Sequence, residues 1–131
     1  MAMLTDDMKK MIETQQCFIA TVDPAGIPNI GPKRSTRVLD DNTLVFNEAT
    51  GKHTYNNIRV NPKVAVAVVN RDILDGYRFV GTATIHESDE LYNKAAENAV
   101  KAGFPKPKAV ITVDVEEVYS LKPATAGKRI V

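Results

Sequence analysis

The sequence predicts a mainly β single domain, a small six-stranded barrel with two to three helices spanning residues 1–131. Three observations predict it. Val64-Ala65-Val66-Ala67-Val68-Val69 is an apolar run without alternation, the pattern of a strand covered on both faces, as in a closed barrel wrapped by other elements. Ile111, Val113 and Val115 alternate with Thr112, Asp114 and Glu116, the period of a strand. Leu4–Gln16 and the stretch opened by Ser88-Asp89-Glu90 instead repeat apolar residues at helical spacing.

Taken in order, the first helix has Asp6 and Asp7 in its first turn and Leu4, Met8, Met11 and Ile12 along one side. Cys17–Val22 reads as a buried strand. Asp23-Pro24-Ala25-Gly26 supplies turn chemistry, because Pro fixes one backbone angle and Gly accepts positive φ. A second strand is expected from Pro28 to Leu39, a turn at Asp40-Asp41-Asn42, and a third strand from Thr43 to Asn47. A short helix around Tyr55–Ile58 stops at Asn61-Pro62, since the residue before Pro is pushed out of the α region. Val64–Val69 and Tyr77–His86 are the next strands, with Gly81 marking a bulge or bend. The second long helix presents Leu91, Tyr92, Ala95, Ala96, Ala99 and Val100 on one face and stops at Gly103. Phe104–Pro107 is a loop, Lys108–Leu121 the last strand, and Lys122–Val131 a tail containing Lys128 and Arg129.

Composition narrows the function classes. Seventeen basic and 16 acidic residues give a net charge of +1, so no overall field draws the chain to nucleic acid or membrane, and an anion site must come from a local cluster. The one cysteine, Cys17, excludes an internal disulfide framework and a cysteine metal cluster. His53 and His86 are too far apart in sequence to indicate a metal site, and no metal is expected. With no signal peptide or membrane-length apolar run visible, a soluble cytoplasmic protein is the expectation.

Two local clusters stand out. Asn47-Glu48-Ala49-Thr50-Gly51-Lys52-His53-Thr54 runs from a strand into a helix start, where unpaired N–H groups and the helix dipole favour an anion. The competing reading makes Thr50 an N-cap and Lys52 a solvated lysine. Pro32-Lys33-Arg34-Ser35-Thr36-Arg37 sets three cations and two hydroxyls in a stretch expected to be extended. Alternation there would send Lys33, Ser35 and Arg37 to one face and Arg34 and Thr36 to the other. Solvated cations protecting an edge strand are the competing reading, but such local density in a charge-balanced chain points to an anionic ligand. Standard nucleotide motifs fail: His53 stands in the Ser/Thr position of a P-loop, Phe46 where its first Gly belongs, and no G-x-G-x-x-G occurs.

The strand with Lys33-Arg34-Ser35-Thr36, the segment Gly51-Lys52-His53-Thr54 through Asn57-Ile58 to Asn61-Pro62-Lys63-Val64, and the Gly81-Thr82-Ala83 strand resemble the pyridoxamine 5'-phosphate oxidase-like FMN-binding split-barrel superfamily, especially its small flavin-nucleotide-binding members. The resemblance runs from Leu4 through Arg129 and rests on the order and spacing of short motifs. It implies a six-stranded split barrel that forms a homodimer, with FMN at sites along the interface. It also implies that Lys33, Arg34, Ser35 and Thr36 contact the flavin ring and phosphate, that Asn47 lies near the ring edge, and that Lys52 and Thr54 hold the phosphate. Several relatives carry a basic residue one place after Lys52, where this chain has His53, so the pair are alternatives for the phosphate contact. The partner's tail often closes the site, which implies a role for Lys128 and Arg129. No Arg-x-His equivalent of the substrate-binding residues of true pyridoxamine phosphate oxidases is found near the C-terminus.

The resulting expectation is a small flavoprotein using non-covalent FMN for electron or hydride transfer, with a nicotinamide nucleotide or a protein as electron donor. No residue stands out as a general acid or base. The alternatives are a pyridoxamine 5'-phosphate oxidase-like enzyme or a flavin-dependent reductase of a small molecule. A nucleic-acid-binding barrel ranks lower, because the cationic strand carries no aromatics for base stacking. A small filled barrel has no interior room for a flavin, so a groove between two protomers would supply the missing wall.

Overall fold

The computed structural model describes residues 2–131, so the first residue of the expected domain lies outside them. Along the chain run α1 (Asp6–Thr14), β1 (Cys17–Val22), β2 (Pro28–Pro32), β3 (Arg37–Asp40), β4 (Thr43–Glu48), α2 (His53–Val60), β5 (Lys63–Asn70), β6 (Asp75–His86), α3 (Glu90–Lys101) and β7 (Ala109–Ser120). The strands form one antiparallel sheet in the order β2-β1-β5-β6-β7-β4-β3.

The expected six-stranded barrel is corrected in two ways. The sheet has seven strands, and β2 and β3 are its two edges, so it does not close into a barrel. Both corrections have one cause. The strand expected from Pro28 to Leu39 is cut by a turn in which the Thr36 amide and the Thr36 hydroxyl both donate to the Lys33 carbonyl, at 3.1 and 2.7 Å. Such side-chain bonding to nearby backbone competes with extended structure. The Lys33 amide donates to the Cys17 carbonyl at 3.0 Å, which ties the turn to β1. A chain running from Pro32 to Arg37 spans at most about 18 Å, so the turn holds the two sheet edges near one another without a ladder between them. Lys33–Thr36 is therefore a turn, and the alternation expected of its side chains does not apply.

α1 opens on a capping box in which the Thr5 hydroxyl accepts the Met8 amide. Its Met8, Met11 and Ile12 pack on one sheet face with Ile19, Phe46 and Phe79. Tyr92, Ala95 and Ala96 of α3 pack on the opposite face, against Val45 and Val110. β4 is thus covered on both sides. Asp89 caps α3, accepting the Tyr92 amide, and Val100 is exposed rather than part of the buried stripe. The expectation for Val64–Val69 is also corrected: Val64, Val66 and Val68 are buried, but Ala65 and Ala67 are half-buried and Val69 is exposed. Gly81 does mark a bulge. The β6–β7 register shifts there, and a Cβ would sit 2.2 Å from the Asp114 carbonyl oxygen.

Candidate functional site

The turn between the sheet edges also forms one wall of a groove of about 400 Å³. Pro32, Lys33, Arg34 and Ser35 line it from the turn, and Asn47 and Ala49 from the end of β4. The rest of the lining is an apolar wall, made by Ala99 near the end of α3 and by Phe104, Pro105 and Pro107 in the loop that follows. The turn and β4 are locked together. The Asn47 amide donates to Ser35 Oγ at 2.8 Å, and the Arg37 guanidinium donates to the Ser35 carbonyl at 2.8 Å and to Asn47 Oδ1 at 3.4 Å. Burial pushes the Arg37 guanidinium below its ordinary pKa, against the opposing charge of Glu13. An arginine stays charged under such a shift.

Behind this wall lies Glu48, whose side chain is almost fully buried. Its Oε1 accepts from Lys33 Nζ at 2.8 Å, and its Oε2 accepts the backbone amides of Thr50 at 3.2 Å and Gly51 at 3.1 Å. Burial pushes the Glu48 carboxyl up, but the bond to Lys33, its charge and the two amides together hold it below its ordinary value. Gly51 adopts φ +69°, and a Cβ there would come within 2.9 Å of Lys108 Cγ, so the turn needs a residue that is both small and left-handed.

Thr50 does not cap the following helix. Its amide and hydroxyl are turned to Glu48, and the N-cap of α2 is Lys52, with no side-chain cap bond. Lys52 and His53 are both exposed at the helix start, their side chains without a partner among the described residues, and neither lines the groove. Thr54 is buried and accepts from Asn29 Nδ2 at 3.4 Å. Of the residues selected from sequence, Lys33, Arg34, Ser35 and Asn47 therefore meet at one groove, while Lys52, His53 and Thr54 form a neighbouring group joined to it through Gly51 and Glu48. Thr36 is buried inside the turn, with its hydroxyl proton given to Lys33.

Lys128 and Arg129 lie elsewhere. The Ser120 amide donates to the Lys128 carbonyl at 2.8 Å and Arg129 bridges to Tyr119, whereas Asn47 pairs with Val110 near the other end of β7. Along a strand that separation is roughly 30 Å, so a chain's own tail does not reach its own groove. Sequence reading missed Glu48 and the apolar wall. The one signal for the wall was Phe104, an aromatic between Gly103 and Pro105 that is 60% exposed. His86 ends β6 as expected, but it is held between Asp89 Oδ2 at 2.6 Å and Thr112 Oγ1 at 3.0 Å.

The sequence pattern of the pyridoxamine 5'-phosphate oxidase family matches residues 4–122. An uncharacterized protein of Methanocaldococcus jannaschii is 38% identical over 97% of this chain and 87% of its own length. The crystal structure of Group A Streptococcus HupZ superposes with a TM-score of 0.88 at 44% identity, covering 95% of this chain and 98% of that one. An FMN-binding protein of Syntrophomonas wolfei shares the fold at 18% identity, with a TM-score of 0.70 over 86% of this chain and 82% of that one. Because the family pattern itself spans residues 4–122, nearly all of its length, the chain belongs to the pyridoxamine 5'-phosphate oxidase family.

Proposed function

We propose that this protein is an FMN-binding flavoprotein acting in electron or hydride transfer, with the flavin held beside the Lys33–Thr36 turn at the interface of a homodimer. The observation that carries the reading is the division of the groove into a polar wall with Arg34, whose guanidinium is unpaired among the described residues, and an apolar wall of Ala99, Phe104, Pro105 and Pro107. A flat heteroaromatic ring with a phosphate tail fits that division. The ring lies on the apolar wall, and the phosphate meets a planar cationic fork. Ser35 and Asn47, fixed by their mutual bond, present polar groups to the ring's edge. The flavin supplies the redox chemistry; the protein binds it, orients it and shields it from water.

The homodimer is supported by an uncovered apolar sheet face. Ladder pairing sets Phe18 opposite Pro32 and Ala67, and Ala20 opposite Ile30 and Ala65, all on one side of the sheet. Phe18 is 40% and Ile30 67% exposed in the single chain. Neighbouring apolar side chains of this kind mark an interface. Pro32 belongs both to this face and to the groove, so a second protomer seated here stands at the groove's mouth and completes the wall a flavin needs.

The test is the visible spectrum of the purified protein, followed by FMN titration monitored by flavin fluorescence. A yellow protein, or FMN fluorescence quenched at micromolar protein, supports the reading. Absence of any flavin binding at that concentration ends it. Bleaching of bound flavin on addition of NADH or NADPH would then separate a nicotinamide-dependent reductase from a carrier reduced by another protein.

A further inference from the structure

Two cations line the groove, Lys33 and Arg34, and the structure treats them differently. Lys33 is paired to a carboxylate with 2% of its side-chain surface exposed, and its ammonium also lies 6.0 Å from the centre of the Phe46 ring. Arg34 is exposed and has neither an ion pair nor a hydrogen bond among the described residues. The same Glu48 carboxylate takes up the Thr50 and Gly51 amides, the donors that a turn of this kind would otherwise offer to an anion.

We propose that Glu48 is the specificity-determining residue of this groove: it withdraws Lys33 and the Thr50–Gly51 amides from any ligand and leaves Arg34 as the groove's one selecting cation. The proposal rests on the flavin reading for the identity of the ring, but its charge logic concerns anions in general. A phosphomonoester carries about −1.5 to −2 charges at neutral pH. Facing a net charge of one from Lys33, Arg34 and Glu48 together, it is matched only in part. The groove therefore takes a phosphate-free flavin such as riboflavin nearly as well as FMN, and its ligand class is set by the ring more than by the phosphate. Glu48 touches no ligand. It acts through Lys33 and the turn, as a positioning residue.

The experiment compares wild type, Glu48→Gln, Glu48→Gln/Lys33→Met and Arg34→Ala in the full chain. Inorganic phosphate is titrated against thermal melting, and FMN and riboflavin are titrated by fluorescence. Glutamine keeps the shape and a carbonyl acceptor for the turn amides but frees Lys33. In wild type, FMN is expected to bind less than about tenfold more tightly than riboflavin. Glu48→Gln should tighten FMN and inorganic phosphate by roughly tenfold or more, the worth of one added charge-assisted hydrogen bond, with riboflavin unchanged. The double variant should lose that gain. Arg34→Ala, at an exposed unpaired position that folding does not need, should abolish the remaining preference for FMN and the response to phosphate. A folded Glu48→Gln protein with wild-type phosphate affinity overturns the proposal, and so does a gain that survives loss of Lys33. Should Glu48→Gln fail to fold, an Arg34→Ala protein that still prefers phosphate overturns it alone. If neither flavin binds while phosphate follows this pattern, the flavin reading fails and the proposal stands.

Discussion

The carboxylate of Glu48 lies 2.8 Å from the ammonium of Lys33, joining the turn that links the sheet edges to the turn that begins α2. A buried pair of this kind adds little over a well-packed apolar pair, but removing one partner leaves a buried charge without compensation. Glu48→Ala should therefore cost about 3–5 kcal/mol of unfolding free energy, read from urea denaturation at neutral pH.

The same contact predicts an acid-sensitive step. Lys33 and the two turn amides outweigh burial and hold the Glu48 carboxyl below its ordinary 4.5 in the folded chain. A carboxylate with a depressed folded pKa contributes stability that is fully present above its unfolded pKa and is lost as pH falls through the folded value. Wild type should lose urea resistance between about pH 5 and pH 3, and a folded Glu48→Gln variant should show a shallower dependence over that window. Equal slopes would mean that the lost stability comes from other carboxylates.

Gly81→Ala tests the bulge. The added methyl would meet the Asp114 carbonyl oxygen at 2.2 Å and its carbon at 2.9 Å, and these are backbone atoms of a central strand that cannot swing aside. The expected loss is roughly 2–4 kcal/mol, seen as a lower melting temperature with unchanged far-ultraviolet dichroism at low temperature.

Most elements were legible because each carries its own local signal. Cys17–Val22 matches β1 end to end, and Gly81 marked its bulge. The failures have two origins: one is a local turn whose residues also suit a strand, and the others depend on neighbours remote in sequence. In Pro28–Leu39 the one local hint of a break is Gly31-Pro32, where β2 ends; Lys33, Arg34, Ser35 and Thr36 each tolerate an extended chain, and the turn is made by the Thr36 hydroxyl bonded to the Lys33 carbonyl. Val64–Val69 reads as doubly buried, yet its second face is open in a single chain, and sequence does not say whether neighbours or another protomer cover it. The candidate site was legible as charge, in Lys33 and Arg34, but not as charge balance. Glu48 is fifteen positions from the lysine it neutralises.

Cys17 provides a probe of the core. It is 1% exposed, and burial, with the charge of Glu13, pushes its thiol up to about 11. The thiolate is the reactive form, so the folded protein should resist a thiol reagent at neutral pH. Modification should speed up by orders of magnitude in denaturant. Rapid labelling of the native protein would show that the α1–β1 region opens readily, since Met8, Met11 and Ile12 pack in the same cluster.

Charge placed on the open sheet face separates folding from assembly. Ile30 is 67% exposed in the single chain and sits opposite Ala20, so Ile30→Glu removes no buried contact within a protomer and should leave melting of the isolated chain within about 0.5 kcal/mol of wild type. In a dimer built across this face the two-fold axis brings the substituted position of each protomer into an apolar contact, where a carboxylate without a partner carries a desolvation cost of several kcal/mol. Sedimentation should then show wild type as a dimer and Ile30→Glu as a monomer. Flavin binding should fall with dimerisation, because the groove loses the wall supplied by the second protomer. A dimeric Ile30→Glu protein would place the interface elsewhere, and a monomer retaining full flavin affinity would show that one chain's groove is sufficient.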